Sequence, residues 1–354
     1  MRVCFVLPGV ARQPVGGYKI VYEYANRLIH ENCDVSILYL NQDLLKNYSV
    51  PSWVKKYVAN ILTKFEPRWF KLNPKIKKVS NLDSNYKQKL GVLDACFATS
   101  AEKTIEEVRD NISAKQKLYF IQGYEDWNVD KKALIDTYKL GFKNIVIARW
   151  LKDIVDRYSE QPSVLIPNAI DTKCYECKIP IEKRSQHTIA LLYHSAPKKG
   201  LKYAFEVLKS VKKQYPDLQV IMFGKFPVHG LPKWITYHKN ASQKETVRIY
   251  NSVQVFLCST IEEGFGLTGI EAMACGSCLV STDYKGVKEY AVDNYNALLS
   301  PVGDIQAQVN NVVRIFENKE LREKISKNGI ESVKNFTWIE AMEKFNKAIG
   351  YKKK

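Results

Sequence analysis

The chain reads as two α/β domains, each built on a parallel sheet covered by helices. Short apolar runs alternate with helix-period stretches along nearly all of the 354 residues. That alternation is the pattern of strands buried on both faces and linked by crossover helices. A polar, proline-containing stretch near the middle separates two such series.

In the first series the apolar runs cover residues 3–7, 35–40, 92–98, 118–121 and 145–148. Their length suits strands rather than helices. Residues 18–30 carry apolar side chains at helical spacing. The join falls near Ile166-Pro167-Asn168-Ala169-Ile170-Asp171, followed by a polar stretch, 174–186, that contains Pro180. The second series has strand-like runs at 189–193, 218–223, 253–258 and 278–281, with helices expected over 201–215 and 242–251. This places one domain over residues 1–170 and the other over 171–336. The closing Lys352-Lys353-Lys354 reads as a solvated, frayed end.

Composition narrows the class. Hydrophobic residues at 45% and charged residues at 26% describe a globular chain with enough apolar material for two cores. The net charge of +17, from 54 basic and 37 acidic residues, favours a polyanionic partner: nucleic acid, an anionic membrane or a phosphorylated ligand. No apolar run approaches the ~20 residues that cross a bilayer. Residues 3–7 are too short for a signal peptide and lead into a glycine turn and a helix, so they read as a first buried strand.

Most of the eight cysteines lie in apolar runs, as Cys4 and Cys258 do, and read as reduced core thiols of a cytosolic protein. Two Cys-x-x-Cys pairs, Cys174/Cys177 and Cys275/Cys278, have the internal spacing of zinc ligands. The pairs are far apart in the chain and the second enters a strand, so no metal site is expected from them.

Residues 46–78 interrupt the alternation. Trp53, Tyr57, Phe65, Trp69 and Phe70 are interleaved there with lysines and arginines. Trp53, Tyr57 and Asn60/Ile61 recur at helical spacing. Two readings stand: a helix that packs its aromatics inward under a basic outer face, or a basic amphipathic helix on an anionic membrane. Nucleic acid is disfavoured because no nucleic-acid-binding signature accompanies the charge.

The chemistry concentrates in two glycine loops. Gly16-Gly17 follows the first strand and opens a helix, where glycine lets backbone approach a ligand and free N–H groups face it. The second loop is Glu262-Glu263-Gly264-Phe265-Gly266-Leu267-Thr268-Gly269-Ile270-Glu271, followed by Ala272-Met273-Ala274-Cys275-Gly276. It follows an apolar strand, and residues 267–274 read as a helix. Strand, glycine loop and helix put a positive helix end at the carboxyl edge of a sheet, where a phosphate or diphosphate is well placed. Glu263 and Glu271 would repel a diphosphate, and suit hydrogen bonds from sugar and ribose hydroxyls.

Glu263 and Glu271 with their flanking residues resemble the signature of retaining glycosyltransferase family 4, of GT-B architecture. Gly16-Gly17 resembles that family's first-strand glycine loop. Ile166-Pro167-Asn168-Ala169-Ile170-Asp171 is similar to its interdomain motif. Asp283-Tyr284-Lys285-Gly286-Val287-Lys288-Glu289 is similar to its turn after a strand. Phe336-Thr337-Trp338 resembles the start of its final helix, which returns to the first domain; residues 337–354 would then complete that domain. Gln122-Gly123-Tyr124-Glu125-Asp126-Trp127 resembles a rhamnosyltransferase-like branch.

The resemblance implies two Rossmann-like domains facing across a cleft, and transfer of a sugar from a nucleoside diphosphate sugar. Glu271 would hold the ribose and Glu263 the donor sugar. Gly264, Phe265, Gly266, Leu267 and Thr268 would line the donor, and Lys199, with Lys198 beside it, would neutralise the diphosphate. The family's usual arginine is replaced by His194, a neutral donor instead of a charged fork. Gln122, Tyr124 and Glu125 would stand on the acceptor or donor-sugar side. No Asp-x-Asp in a fitting setting is present, so neither an obligatory metal nor a resident cofactor is expected. The implied acceptor is a glycan or a lipid-linked glycan, and the implied place is the cytoplasm, at the inner face of a membrane bound through 46–78. A sugar-nucleotide epimerase of the same architecture and a basic nucleic-acid-binding protein are the alternatives.

Overall fold

The computed structural model describes residues 1–126 and 129–352, so Trp127 and the terminal Lys353 and Lys354 lie outside the described residues. The strands are β1 (Arg2–Leu7), β2 (Asp34–Tyr39), β3 (Lys77–Ser80), β4 (Leu93–Ala98), β5 (Ala114–Ile121), β6 (Lys143–Val146), β7 (Val164–Leu165), β8 (Thr188–Tyr193), β9 (Gln219–Gly224), β10 (Ile235–Lys239), β11 (Val255–Cys258), β12 (Cys278–Thr282) and β13 (Ala297–Ser300). The α-helices are α1 (Gly16–His30), α2 (Ser52–Phe65), α3 (Tyr86–Leu90), α4 (Lys103–Asp110), α5 (Lys131–Tyr138), α6 (Arg149–Val155), α7 (Leu201–Gln214), α8 (Gln243–Ser252), α9 (Leu267–Ala274), α10 (Ile305–Glu317), α11 (Lys319–Val333) and α12 (Trp338–Ala348).

Among the described residues these strands form two wholly parallel sheets. The first has the order β3-β2-β1-β4-β5-β6-β7 and the second β10-β9-β8-β11-β12-β13. Two compact units result: Met1–Pro167 with Ile339–Lys354, and Asn168–Trp338. The fold class expected from the alternation, two parallel-sheet Rossmann-like units, is the one observed. Four strands escaped the sequence reading: β3, β7, β10 and β13. They are the four edge strands. Of these, β3 and β10 are partly solvated and lack a continuous apolar run, while β7 and β13 are apolar but only two and four residues long, too short to stand out. The strand β10, Ile-Thr-Tyr-His-Lys, buries only its first residue.

In the first unit β1 lies central, between β2 and β4, with β1 paired from Val3 to Val6 against Ala95 to Ala98. Its core is aromatic. Phe5 stacks on Phe97 at 4.8 Å, and Phe345 of α12 stacks on Phe97 at 5.1 Å and on Tyr24 of α1 at 4.3 Å. The last helix is therefore part of the first unit's interior. In the second unit α7 and α10 cover one face of the sheet with Val207, Leu208, Val211, Val309, Val312 and Ile315.

The 46–78 region divides: one part packs its aromatics inward and the other leaves them exposed. Trp69 and Phe70 pack on Tyr22 of α1, with centroids 5.7 and 5.4 Å apart, and Trp69 Nε1 donates to the Ala11 carbonyl at 2.9 Å. Helix α2 does the reverse. It buries the small Ala59 and Thr63 and leaves Trp53, Tyr57, Ile61 and Phe65 exposed. The inward-packed reading of Trp53 and Tyr57 is thus corrected: inward space at α2 is filled by small residues, and the aromatics have no place there. No described helix is long and apolar enough to cross a membrane.

Candidate functional site

Both sheets contain a point where strand order reverses, between β1 and β4 and between β8 and β11. Loops leave in opposite directions at such a point and open a crevice at the carboxyl ends of the strands. The residues singled out in the sequence collect at these two places, one in each unit.

In the second unit the loops after β8 and β11 touch backbone to backbone. Gly200 has φ +63°, and a Cβ there would stand 1.8 Å from the Ser259 carbonyl oxygen. The Ile261 amide donates to the Lys198 carbonyl at 2.8 Å. Across this seam run two parallel ion pairs, Lys198 Nζ to Glu262 Oε1 at 2.8 Å and Lys199 Nζ to Glu263 Oε1 at 2.5 Å. The second is the more enclosed, with side chains 23% and 24% exposed. Lys199, Ser259, Thr260, Glu263 and Thr268 line one cavity.

The chain then turns through Gly264, Phe265 and Gly266 into α9. Gly266 has φ +93°, and a Cβ there would lie 1.8 Å from Tyr284 Oη, so no other residue fits without a shift. Tyr290 Oη donates to the Gly266 carbonyl at 2.8 Å and lies 3.0 Å from Tyr284 Oη. Phe265 is buried against the Tyr290 and Phe336 rings, with centroids at 5.3 and 6.0 Å. Gly286 closes from below: a Cβ there would be 2.5 Å from the Glu263 carbonyl oxygen and 2.6 Å from that of Gly264. Gly266 offers α9 no side-chain cap, and Leu267 and Thr268 form its first turn. Such a helix start favours an anion. One turn further, Glu271 is buried and accepts from Tyr250 Oη at 3.4 Å.

His194 stands where the resemblance expects an arginine. Its Nδ1 accepts from the Ala196 amide at 3.0 Å, which leaves the proton of the neutral ring on Nε2. Burial, and then the charges of Lys199 and Lys225, hold its pKa below the ordinary histidine value. His194 is therefore a neutral hydrogen-bond donor.

In the first unit Gly16 and Gly17 are the first residues of α1 and have no side-chain cap before them. Gln122, just past β5, reaches this loop: its Nε2 donates to the Gly17 carbonyl at 3.2 Å. Tyr124 and Glu125 follow in the same loop. The Glu125 carboxylate accepts from the Ala101 amide at 2.6 Å, joining this loop to the one after β4. Burial pushes its pKa up to about 7.

The structure thus gathers Lys199, Glu263 and Thr268 around one cavity, and Gly17 with Gln122 in the other unit. Sequence reasoning missed the tyrosine pair beneath Gly266. The signal was present as two tyrosines, Tyr284 and Tyr290, bracketing the turn that contains Gly286. The two Cys-x-x-Cys pairs also meet. Arg184 Nη2 donates to the Cys275 carbonyl at 2.5 Å and lies 3.8 Å from Cys177 Sγ. All eight cysteines are free thiols, and among the described residues no three His, Cys, Asp or Glu side chains are grouped as a metal would need.

Residues 179–332 match the family described as glycosyl transferases group 1. An uncharacterised glycosyltransferase of Methanocaldococcus jannaschii is 22% identical over 206 residues, 55% of this chain and 56% of that one. The phosphatidyl-myo-inositol mannosyltransferase of Mycobacterium leprae is 26% identical over 153 residues, 41% of each chain. Matches to these curated relatives therefore span about half their length. Among solved structures, Anabaena Alr3699/HepE aligns over 99% of both chains with a TM-score of 0.75 at 13% identity, a likeness of fold. The matched segment contains β8, β11, α9, His194, both lysines and both glutamates of the signature, and over this segment the chain is similar to the glycosyl transferases group 1 family.

Proposed function

We propose that the chain transfers a glycosyl group from a nucleoside diphosphate sugar to a hydroxyl of a glycan or lipid-linked acceptor, with retention at the anomeric carbon. The observation that carries this reading is the Lys199–Glu263 pair, set beside the start of α9 where the order of the second sheet reverses. A diphosphate entering there takes Lys199 as its counter-ion. Glu263 is then released to accept hydrogen bonds from sugar hydroxyls.

In the reaction the bond between the anomeric carbon and the diphosphate oxygen breaks, and the acceptor oxygen bonds the same carbon from the same face. The acceptor proton passes to the departing diphosphate. Lys199, Lys198, the α9 amides and the Nε2–H of His194 take up the charge that builds on that diphosphate. This positive set makes a metal unnecessary, and the chain works without a resident cofactor. Glu271 binds the ribose. Gly16 and Gly17 bind the donor, and Gln122, Tyr124 and Glu125 serve the acceptor or the donor sugar.

Two of the similar proteins support the substrate classes. The Anabaena structure is described as a complex with UDP and glucose, and the Mycobacterium leprae protein is named a phosphatidyl-myo-inositol mannosyltransferase. On this reading the enzyme works in the cytoplasm, at the inner face of a membrane, in surface polysaccharide or glycoconjugate synthesis. The test is a thermal-shift screen of nucleotide sugars on the full chain, followed by nucleotide release with and without EDTA. Stabilisation by one donor is expected, because a ligand of the folded state adds RT ln(1 + [L]/Kd). NMR of the product reports the anomeric configuration. If no nucleoside diphosphate stabilises the chain, the reading fails.

A further inference from the structure

Helix α2 is built inside out for a helix on a soluble domain. Trp53, Tyr57, Ile61 and Phe65 are 71%, 63%, 39% and 55% exposed. They stand at i, i+4, i+8 and i+12, so they form one stripe along the helix. The opposite side rests on the unit through Ala59 and Thr63, and Thr63 Oγ1 accepts from Asn41 Nδ2 at 3.1 Å. That bond fixes the rotation of the helix, with small residues inward and large ones outward. Residues 46–78 contain nine Lys or Arg and a single carboxylate, Glu66. Glu66 is buried, and accepts from the Arg68 amide at 2.9 Å. The Lys64 ammonium lies 5.6 Å from the centroid of the Phe65 ring, a cation at the border of the apolar stripe.

Extending the functional reading above, we propose that α2 is the surface by which this protein docks on a bilayer containing anionic lipid, its aromatic stripe entering the headgroup region. Trp and Tyr suit that region because their rings are apolar and their polar atoms find headgroups and water. The lysines beside the stripe meet lipid phosphates. A protein partner fits less well, since the centres of protein interfaces are depleted of lysine. A second copy of the chain fits least, because the same positive field would face itself.

The placement is also useful. Asn41 ties α2 to Ser80 at the end of β3 at 3.0 Å, and its Oδ1 accepts from the Val10 amide in the loop after β1 at 3.2 Å. Helix α2 thus joins the carboxyl edge of the first sheet, the edge that carries Gly17 and Gln122. A bilayer held at α2 brings a lipid-linked acceptor to that edge.

The test is co-sedimentation of the full chain with vesicles of phosphatidylcholine alone and of phosphatidylcholine mixed with phosphatidylglycerol. Binding is expected to the mixed vesicles only. A Trp53→Ser, Tyr57→Ser, Phe65→Ser triple variant should bind at least tenfold more weakly. Lys64→Gln, on the exposed side of the helix, should weaken binding by about fivefold. All the exchanged side chains lie on the outer part of α2, so melting and stabilisation by a nucleotide sugar without vesicles should match the parent protein. That second readout separates a failed docking surface from a failed donor site. The proposal is overturned if the parent protein ignores anionic vesicles, if the triple variant binds as well as the parent, or if the parent is a dimer in solution that the triple variant dissociates.

Discussion

The two sheets present their carboxyl edges in contrasting ways. In the second unit the glycine loop is fixed from behind by unyielding atoms: Ser259 backbone against Gly200, Glu263 and Gly264 backbone against Gly286, and two buried tyrosine hydroxyls against Gly266. In the first unit the atoms closest to Gly17 belong to the tip of a side chain, Gln122, at 3.3 to 3.5 Å from the place a Cβ would take. Stabilising a charge that develops on a diphosphate needs dipoles already in place, and a rigid loop supplies them. The first edge is held by groups that can move aside. The difference teaches that one half of this chain is preorganised and the other adaptable.

The largest expected effect breaks the preorganised side at its charge. Lys199→Ala should lower the rate of nucleotide release by roughly 100- to 1000-fold, the scale for losing one stabilising donor at a reacting group. A loss under tenfold would remove Lys199 from the centre of the site. Next comes a matched pair of glycine exchanges followed by thermal melting. Gly200→Ala must adopt a left-handed backbone and enter the Ser259 carbonyl, so a loss above ~3 kcal/mol is expected. Gly17→Ala should be neutral or gain up to ~1 kcal/mol, since alanine favours the helix and Gln122 can give way. Equal losses would erase the contrast.

Tyr290→Phe sharpens the comparison at lower amplitude. It removes the hydrogen bond to the Gly266 carbonyl and leaves that oxygen buried, which should lower stability by about 1–2 kcal/mol. A change in kcat/KM should accompany it, while Tyr215→Phe, in another part of the same unit, serves as the control with unchanged kinetics. The smallest effect concerns Glu125. Its pKa rises from the ordinary 4.5 to about 7 in the folded chain because burial disfavours the charged form. Between those values the folded state binds more protons than the unfolded one, so stability is full below pH 4.5 and falls as pH rises towards 7. Glu125→Gln should flatten that slope, giving a higher melting temperature than the parent at pH 8 and the same one at pH 4. A parallel shift at both pH values would refute the assignment.

Much of this architecture was legible because interior strands of a parallel sheet are buried on both faces and read as plain apolar runs. Residues 3–7 became β1 and residues 278–281 became most of β12. The edge strands were not legible: Lys77-Lys78-Val79-Ser80 looks like any basic loop until a neighbour supplies its hydrogen bonds. At the site, Glu263 and Glu271 could be picked out by the glycines between them, and Lys199 by the family resemblance. Their supports could not, because a tyrosine under a glycine is a fact of three dimensions. The aromatic residues of 46–78 show the same limit. Trp53 and Trp69 have similar neighbours in sequence, yet one faces solvent and the other donates to Ala11, since only the packing partner decides.

Phe345 follows Phe5 by 340 positions and stacks beside it in the same core, 6.3 Å away. The order of synthesis is therefore not the order of completion. Residues of the second unit, Asn168–Trp338, emerge as one continuous stretch and can close while the ribosome is still at work. The first sheet, although made earlier, keeps the aromatic bed of Phe5, Tyr24 and Phe97 uncovered until α12 arrives. A nascent chain halted before that helix would pair a finished second unit with an open, sticky first one, and chaperones would meet this protein at its beginning rather than at its end.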